Sequence, residues 1–228
     1  MDRQVDLPQA SSWQQLRERI SRIGFLPLFQ NELRGFSAEE LTRDCGWWTG
    51  DPDGDPWYWR ERLARSGEVA YGKFFHGKAG FVSLDWLPRF ANYRRDGYDF
   101  DARWEDGLAS VREKKILDCF ALQPEWIGMQ LKRQAGFGGE GERNFPGVLT
   151  QLQMQTYLVI RDFRCKTGRR GQPYGMPVAV YARPEDLWGY DRVTAAYAED
   201  PAASREAIWT QVGRFFPEAE ETQLRRLL

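Results

Sequence analysis

Apolar residues recur every three to four positions near the start of the chain, as they do on the buried face of a helix. A helix over residues 13–23 would carry four of them on one side: Trp13, Leu16, Ile20 and Ile23. Ser12 before this run and Gly24 after it are residues typical of a helix start and a helix end. Ser37 and Glu40 have the spacing of a capping box and predict the start of another short helix.

A pattern typical of strands replaces this helical pattern further along. Two runs rich in β-branched and aromatic residues, EVAYGKFF and AGFVSLDW, lie on either side of the pair His76-Gly77. Such a pair suits the positive φ angles of a tight hairpin turn. The sequence therefore predicts a β-hairpin within a mixed α/β region that spans residues 1–108.

From residue 109 the pattern predicts three helices. Ser110 precedes the first, Pro124 opens the second, which Gly136 ends, and the third covers residues 145–156. The third helix has an apolar stripe made of Phe145, Val148, Leu149 and Leu152.

Two predicted strands, YLVIRDF and PVAVYA, follow the third helix and lie on either side of the basic, glycine-rich segment KTGRRGQPYG. Three helices and a two-stranded wing indicate a winged helix, a helix-turn-helix variant, over residues 109–190. A helical extension at residues 191–228 completes an α+β chain. No linker-like stretch separates the parts, so we expect them to pack as one unit.

The third helix and the wing together predict a surface that binds duplex DNA. On a helical wheel the side opposite the apolar stripe carries Thr150, Gln151 and Met154, with Gln155 at its edge, so Gln151 and Gln155 are predicted to face outward. Glutamine can read adenine in a major groove. The wing adds cations suited to phosphates or to a minor groove: Arg164, Lys166, Arg169 and Arg170. The alternative without a binding function is that these glutamines are only solvated and that the wing only aids solubility.

Composition limits this prediction to a local surface. The 228 residues carry a net charge of −1, which argues against a chain that coats nucleic acid or anionic membranes with its whole surface. Three widely spaced cysteines and one histidine predict free thiols, no metal site and no cofactor. No apolar run reaches the roughly 20 residues that span a bilayer, so the sequence predicts a cytoplasmic protein without a membrane partner.

Two stretches carry a resemblance to a known family. GEVAYGKFF with GKAGFVSLDWLPRFANYRRDGYDFDARWEDGLAS, and LTQLQMQTYLVIRDF with the later PYG, resemble the AlkZ-related proteins of bacteria, over about residues 25–189. These are small relatives of the AlkZ/YcaQ winged-helix DNA glycosylases, which excise alkylated or crosslinked bases. The resemblance implies a link to base-damage repair.

The resemblance also implies catalytic candidates. The signature of those glycosylases is a Gln-hydrophobic-Gln or Gln-hydrophobic-Asp triplet that positions a water, and Gln153-Met154-Gln155 spells it. In a helix the two glutamines would lie about 200° apart and could not share a site, whereas in an extended segment both would point to one side.

Paired carboxylates offer a different route to the same chemistry. Asp99 and Asp101 could do acid/base work on an N-glycosidic bond, by analogy with glycosidases. Such a run is more often a solvated loop that pairs with nearby arginines. An active, metal-free glycosylase is therefore the alternative to a DNA-binding protein, and a winged helix that binds another protein is the third possibility.

Overall fold

The computed structural model describes residues 7–168 and 171–228. Its first part contains α1 (Trp13–Ile23), β1 (Phe25–Pro27), α2 (Ala38–Leu41), α3 (Pro56–Ser66), β2 (Val69–Phe75), β3 (Lys78–Ser83), α4 (Leu87–Arg95) and α5 (Phe100–Glu105). The middle contains α6 (Val111–Leu117), a 3-10 turn (Asp118–Ala121), β4 (Glu125–Ile127), α7 (Gly128–Gln134), α8 (Phe145–Met154), β5 (Val159–Thr167) and β6 (Pro173–Ala182). The chain ends with α9 (Pro184–Trp188), α10 (Tyr190–Val193), α11 (Pro201–Phe215) and α12 (Glu221–Leu227).

Helix α1 has the predicted bounds, because its ends are determined by its own residues. The side chain of Ser12 accepts a hydrogen bond from the backbone N–H of Gln15, and Gly24 ends the helix with a φ of 103°. Leu16, Ile20 and Ile23 are buried.

The first sheet is antiparallel, with strand order β1-β3-β2. The predicted hairpin is confirmed: β2 and β3 are joined by His76 and Gly77, whose φ angles are 46° and 78°, as a primed turn requires. At Gly80 of β3, a β-carbon would lie 2.6 Å from the carbonyl oxygen of Leu26. The close approach of β1 therefore requires glycine at this position.

The second sheet is also antiparallel, with strand order β4-β6-β5. The α+β class expected from the sequence is confirmed. The helix predicted to start at Pro124 is wrong in its first turn, because Glu125–Ile127 is the strand β4, which pairs with residues 180–182 of β6. This pairing satisfies the backbone of β4, and Trp126 packs into the core formed by α6, α7 and α8.

Two hydrophobic cores hold the chain together. The larger surrounds the first sheet and includes the C-terminal helices through Ile208, Val212 and Leu224. The smaller lies among α6, α7, α8 and β4. Val159 and Ile160 of β5 are buried in the larger core, so the second sheet packs against the first. None of the helices within the described residues is long and apolar enough to cross a membrane.

Candidate nucleic-acid interface and the adjoining cleft

Helix α8 has one buried side and one partly open side. Leu149 and Leu152 are buried in the smaller core, and Gln151 is exposed on the opposite side. Thr150 and Met154 are half-buried. The helical wheel therefore predicted the orientation of Gln151 correctly, but it overstated the exposure of Thr150 and Met154.

The β2–β3 hairpin covers the edge of α8. A β-carbon built on Gly77 would lie 3.3 Å from Cγ2 of Thr150 and 4.0 Å from Sδ of Met154. The Lys73 ammonium lies 3.3 Å from Oγ1 of Thr150. This contact joins positions more than 70 residues apart in the chain, so no local sequence pattern predicts it.

Gln153 holds α8 against β2 rather than facing a site. Its side chain is 1% exposed. The backbone N–H of Lys73 donates to its Oε1 at 3.2 Å, and its Nε2 donates to the carbonyl of Leu149 at 3.1 Å. Because β2 is an edge strand of its sheet, Gln153 satisfies a strand donor that has no neighbouring strand to accept from it.

Gln155 differs from the prediction. It lies just after the last residue of α8, with φ −79° and ψ 1°, and is 8% exposed, so the expectation that it faces outward is wrong. Its carbonyl accepts from Nε of Arg95 at 3.4 Å. The backbone here is not extended, so the conformation that would point Gln153 and Gln155 to one side is not adopted. The reason is local: the helix continues to Met154, and Thr156 reverses the chain with a φ of 62°.

The predicted wing carries fewer unpaired cations, among the residues that the structure describes, than its sequence indicates. The guanidinium of Arg164 donates to Oε2 of Glu125 at 2.6 Å and to Oδ2 of Asp162 at 3.0 Å. Burial opposes ionisation of Glu125, but hydrogen bonds from Arg164 and Arg161 outweigh it, so the pKa of Glu125 is lowered. The charge of Arg164 is therefore largely balanced inside the protein.

Besides Arg164, the predicted wing cation that lies within the described residues is Lys166. It is half-buried and makes no ion pair with any residue that the structure describes. The predicted cations Arg169 and Arg170 lie outside the described residues. On the partner strand β6, Tyr174 and Met176 are 54% and 74% exposed.

A cleft of about 520 Å³ lies where α4, α5, α6, α9 and the segment after α8 meet. Its walls include both predicted carboxylates, Asp99 and Asp101, together with Phe100, Tyr157, Arg183 and Tyr190. Oδ2 of Asp99 accepts from the Tyr190 hydroxyl at 2.6 Å. This hydrogen bond is the main reason that the pKa of Tyr190 is raised. The structure thus brings the two aspartates to one concave, partly aromatic site.

Arg95 forms the polar base of the cleft, and the sequence did not reveal it. Its guanidinium is buried and donates to the carbonyl of Thr156 at 2.7 Å, to Oε1 of Glu185 at 2.5 Å and to the Tyr197 hydroxyl at 3.1 Å. Burial alone would lower the pKa of Arg95, but Glu185 and Tyr197 outweigh it and raise that pKa. Burial also raises the pKa of Tyr197, to about 12. Arg95 therefore fixes the backbone that follows α8.

Comparison with known proteins gives one result. A family model described as AlkZ related matches residues 10–228. The match includes both sheets, α8, the residues lining the cleft and the C-terminal helices. No curated protein and no solved structure matches the chain.

Proposed function

The chain belongs to the AlkZ-related family, and from this premise we propose that it is a winged-helix protein that binds duplex DNA and is linked to base-damage repair. The order of elements supports the winged-helix assignment. A helix, a strand, two helices and two strands follow one another from α6 to β6, and the sheet order β4-β6-β5 pairs β5 with β6, as a two-stranded wing requires. In this arrangement α8 is the recognition helix.

The single observation that carries the proposal is the exposed Gln151 on a helix whose other side is buried. A helix presented in this way can enter a major groove, where Gln151 would accept from and donate to adenine. Thr150 and Met154 would border that contact. Lys166, Arg169 and Arg170 would neutralise phosphates from the wing, while Arg164 remains bound to its carboxylates. The protein would act in the cytoplasm, where bacterial DNA is present.

Binding to a short labelled duplex across a salt series tests this proposal. Wild-type protein should lose affinity steeply as salt rises, because each neutralised phosphate contributes about −0.9 to the slope of log K against log salt. The variant K166Q/R169Q/R170Q should flatten the slope by about three phosphates' worth. Duplexes with an alkylated base or an abasic site would report a preference for damage. Absence of binding even at low salt would overturn the proposal.

A second candidate function, removal of a modified base, is favoured by the cleft. Its volume of about 520 Å³ lies within the range of small-molecule sites, and Asp99 and Asp101 could activate water and assist departure of the base. Alkylated duplex incubated with wild-type protein should then accumulate abasic sites, and D99N or D101N should abolish them. If wild-type protein yields no abasic sites, this candidate fails.

A third candidate, binding of another protein, is favoured by the exposed apolar side chains on β6. Tyr174 and Met176 form an apolar stretch on the wing where a phosphate-binding surface would be polar. Replacing both by serine should leave DNA affinity unchanged if that surface serves a protein partner. A loss of DNA affinity in this variant would assign the stretch to the DNA interface instead.

A further inference from the structure

Acidic residues are missing from two segments that the fold brings together. Asp and Glu make up 33 of the 228 residues, yet residues 69–84 and 143–160 contain neither. The first segment forms the β2–β3 hairpin and the second contains α8. Their contact through Gly77 and Thr150 produces a continuous surface that carries no carboxylate of its own.

The cations of this surface lie on the hairpin and at the exposed Arg143 before α8, and none lies on the helix itself. Helix α8 has no lysine or arginine. Lys73 and Lys78 flank the turn, the first half-buried and the second exposed. Neither makes an ion pair with a residue in the described part of the chain, so no carboxylate there balances the charge of either ammonium group.

Two contacts join Lys73 to α8, and a third joins the hairpin to α4. Its ammonium lies 3.3 Å from Oγ1 of Thr150, its backbone N–H donates to Gln153, and the neighbouring carbonyl of Phe74 accepts from Arg94 at 3.2 Å. These contacts pack the hairpin against the side of α8 that adjoins the exposed Gln151.

We propose that the β2–β3 hairpin is a second DNA-contacting element, in which Lys73 and Lys78 neutralise phosphates beside the groove that α8 enters. This inference rests on the proposed function, since it needs α8 to lie on a duplex. It explains how a helix without cations can bind a polyanion: the phosphate charge is met by the adjoining hairpin and by the wing. Phosphate contacts carry no sequence information, so the hairpin strengthens binding to all duplexes alike.

The test compares K73Q/K78Q with wild-type protein on two duplexes of different sequence over a salt series. Removing two phosphate contacts should reduce the salt slope by about 1.8, which makes the loss of affinity between 50 and 200 mM salt about tenfold smaller. The reduction should be equal on both duplexes. R214Q is a control that removes one positive charge elsewhere, because Arg214 is an exposed cation on α11 that donates to Gln211 of its own helix. It should leave the slope unchanged.

K78Q alone keeps the inference testable if the double variant folds poorly. Lys78 is exposed and makes no side-chain hydrogen bond within the described residues, so its replacement leaves the packing intact and should reduce the slope by about 0.9. If wild-type protein binds and both hairpin variants keep the wild-type slope, the hairpin inference is refuted while DNA binding stands. A loss on one sequence only would also refute phosphate contact. If wild-type protein itself does not bind, the proposed function fails.

Discussion

The structural and the catalytic interpretations of the Gln153-Met154-Gln155 triplet make opposite predictions for a substitution of Gln153. The informative change is Gln153→Met, which keeps the length of the side chain and removes its polar atoms. If Gln153 only connects α8 to β2, the variant should be less stable and should bind DNA as well as wild-type protein does whenever it is folded.

The size of the effect follows from the hydrogen bonds that are lost. The backbone N–H of Lys73 now donates to Oε1 of Gln153 at 3.2 Å, and methionine would leave that donor without an acceptor. An unsatisfied buried donor costs about 1–3 kcal/mol. The carbonyl of Leu149 also loses the hydrogen bond from Nε2 of Gln153, but this costs less because the carbonyl keeps its backbone hydrogen bond within α8. For a chain of this length, about 1–3 kcal/mol corresponds to a fall of roughly 2–12 °C in Tm.

Gln151→Met is the matched control, since it makes the same chemical change two residues earlier on the exposed side of α8. It should change stability by no more than about 0.5 kcal/mol but weaken binding to a preferred duplex by about 1–3 kcal/mol. Urea unfolding followed by tryptophan fluorescence gives the first quantity, and duplex binding gives the second. The two variants should therefore show opposite effects in the two assays.

Two results would refute the reasoning. An unchanged urea midpoint for Gln153→Met would mean that the connection from α8 to β2 contributes nothing measurable. A folded Gln153→Met protein that lost abasic-site formation present in wild-type protein would assign Gln153 to catalysis, contrary to its buried position.

Three further changes test contacts that stabilise the fold. Arg95→Met leaves the carboxylate of Glu185 and the carbonyl of Thr156 without their buried donor, and urea unfolding should show a loss of about 3–5 kcal/mol; a loss below about 1 kcal/mol would contradict this. Because the pKa of Glu125 is lowered from 4.5, its ion pairs contribute fully above that pH and lose their contribution as pH falls through the lowered pKa. Thermal melts of Glu125→Gln and wild-type protein should differ most near neutrality and converge below pH 4.5. A difference in Tm that does not change with pH would refute this role of the Glu125 ion pairs. Gly80→Ala places a methyl group 2.6 Å from the carbonyl oxygen of Leu26 and should cost about 1–3 kcal/mol by overpacking, which a stable variant with an unchanged melting curve would exclude.

Features decided by neighbouring residues could be predicted closely. Helix α1 begins after Ser12 and ends at Gly24 because the capping groups belong to the helix itself. The hairpin forms around His76-Gly77 because these two residues adopt the positive φ angles of its turn. Both signals lie within a few positions of the structure that they specify.

The strand β4 shows where local pattern was insufficient. Residues 125–134 have spacing compatible with one helix, yet the first three pair with a strand about 55 residues later. That pairing satisfies backbone hydrogen bonds and buries Trp126, and it overrides the weaker local preference. A sequence pattern cannot include the contribution of a partner strand whose position depends on the rest of the fold.

The features of the candidate sites also divide into those that local sequence determines and those that depend on the fold. By itself the sequence determined which side of α8 carries Gln151, and it singled out Asp99 and Asp101, because residue type and helical period are local properties. Only the tertiary structure decided that Gln155 is buried, that Arg95 lies beneath the two aspartates and that the β2–β3 hairpin lies beside α8. Burial and charge pairing depend on segments far apart in the chain, and these meet only when the two hydrophobic cores form.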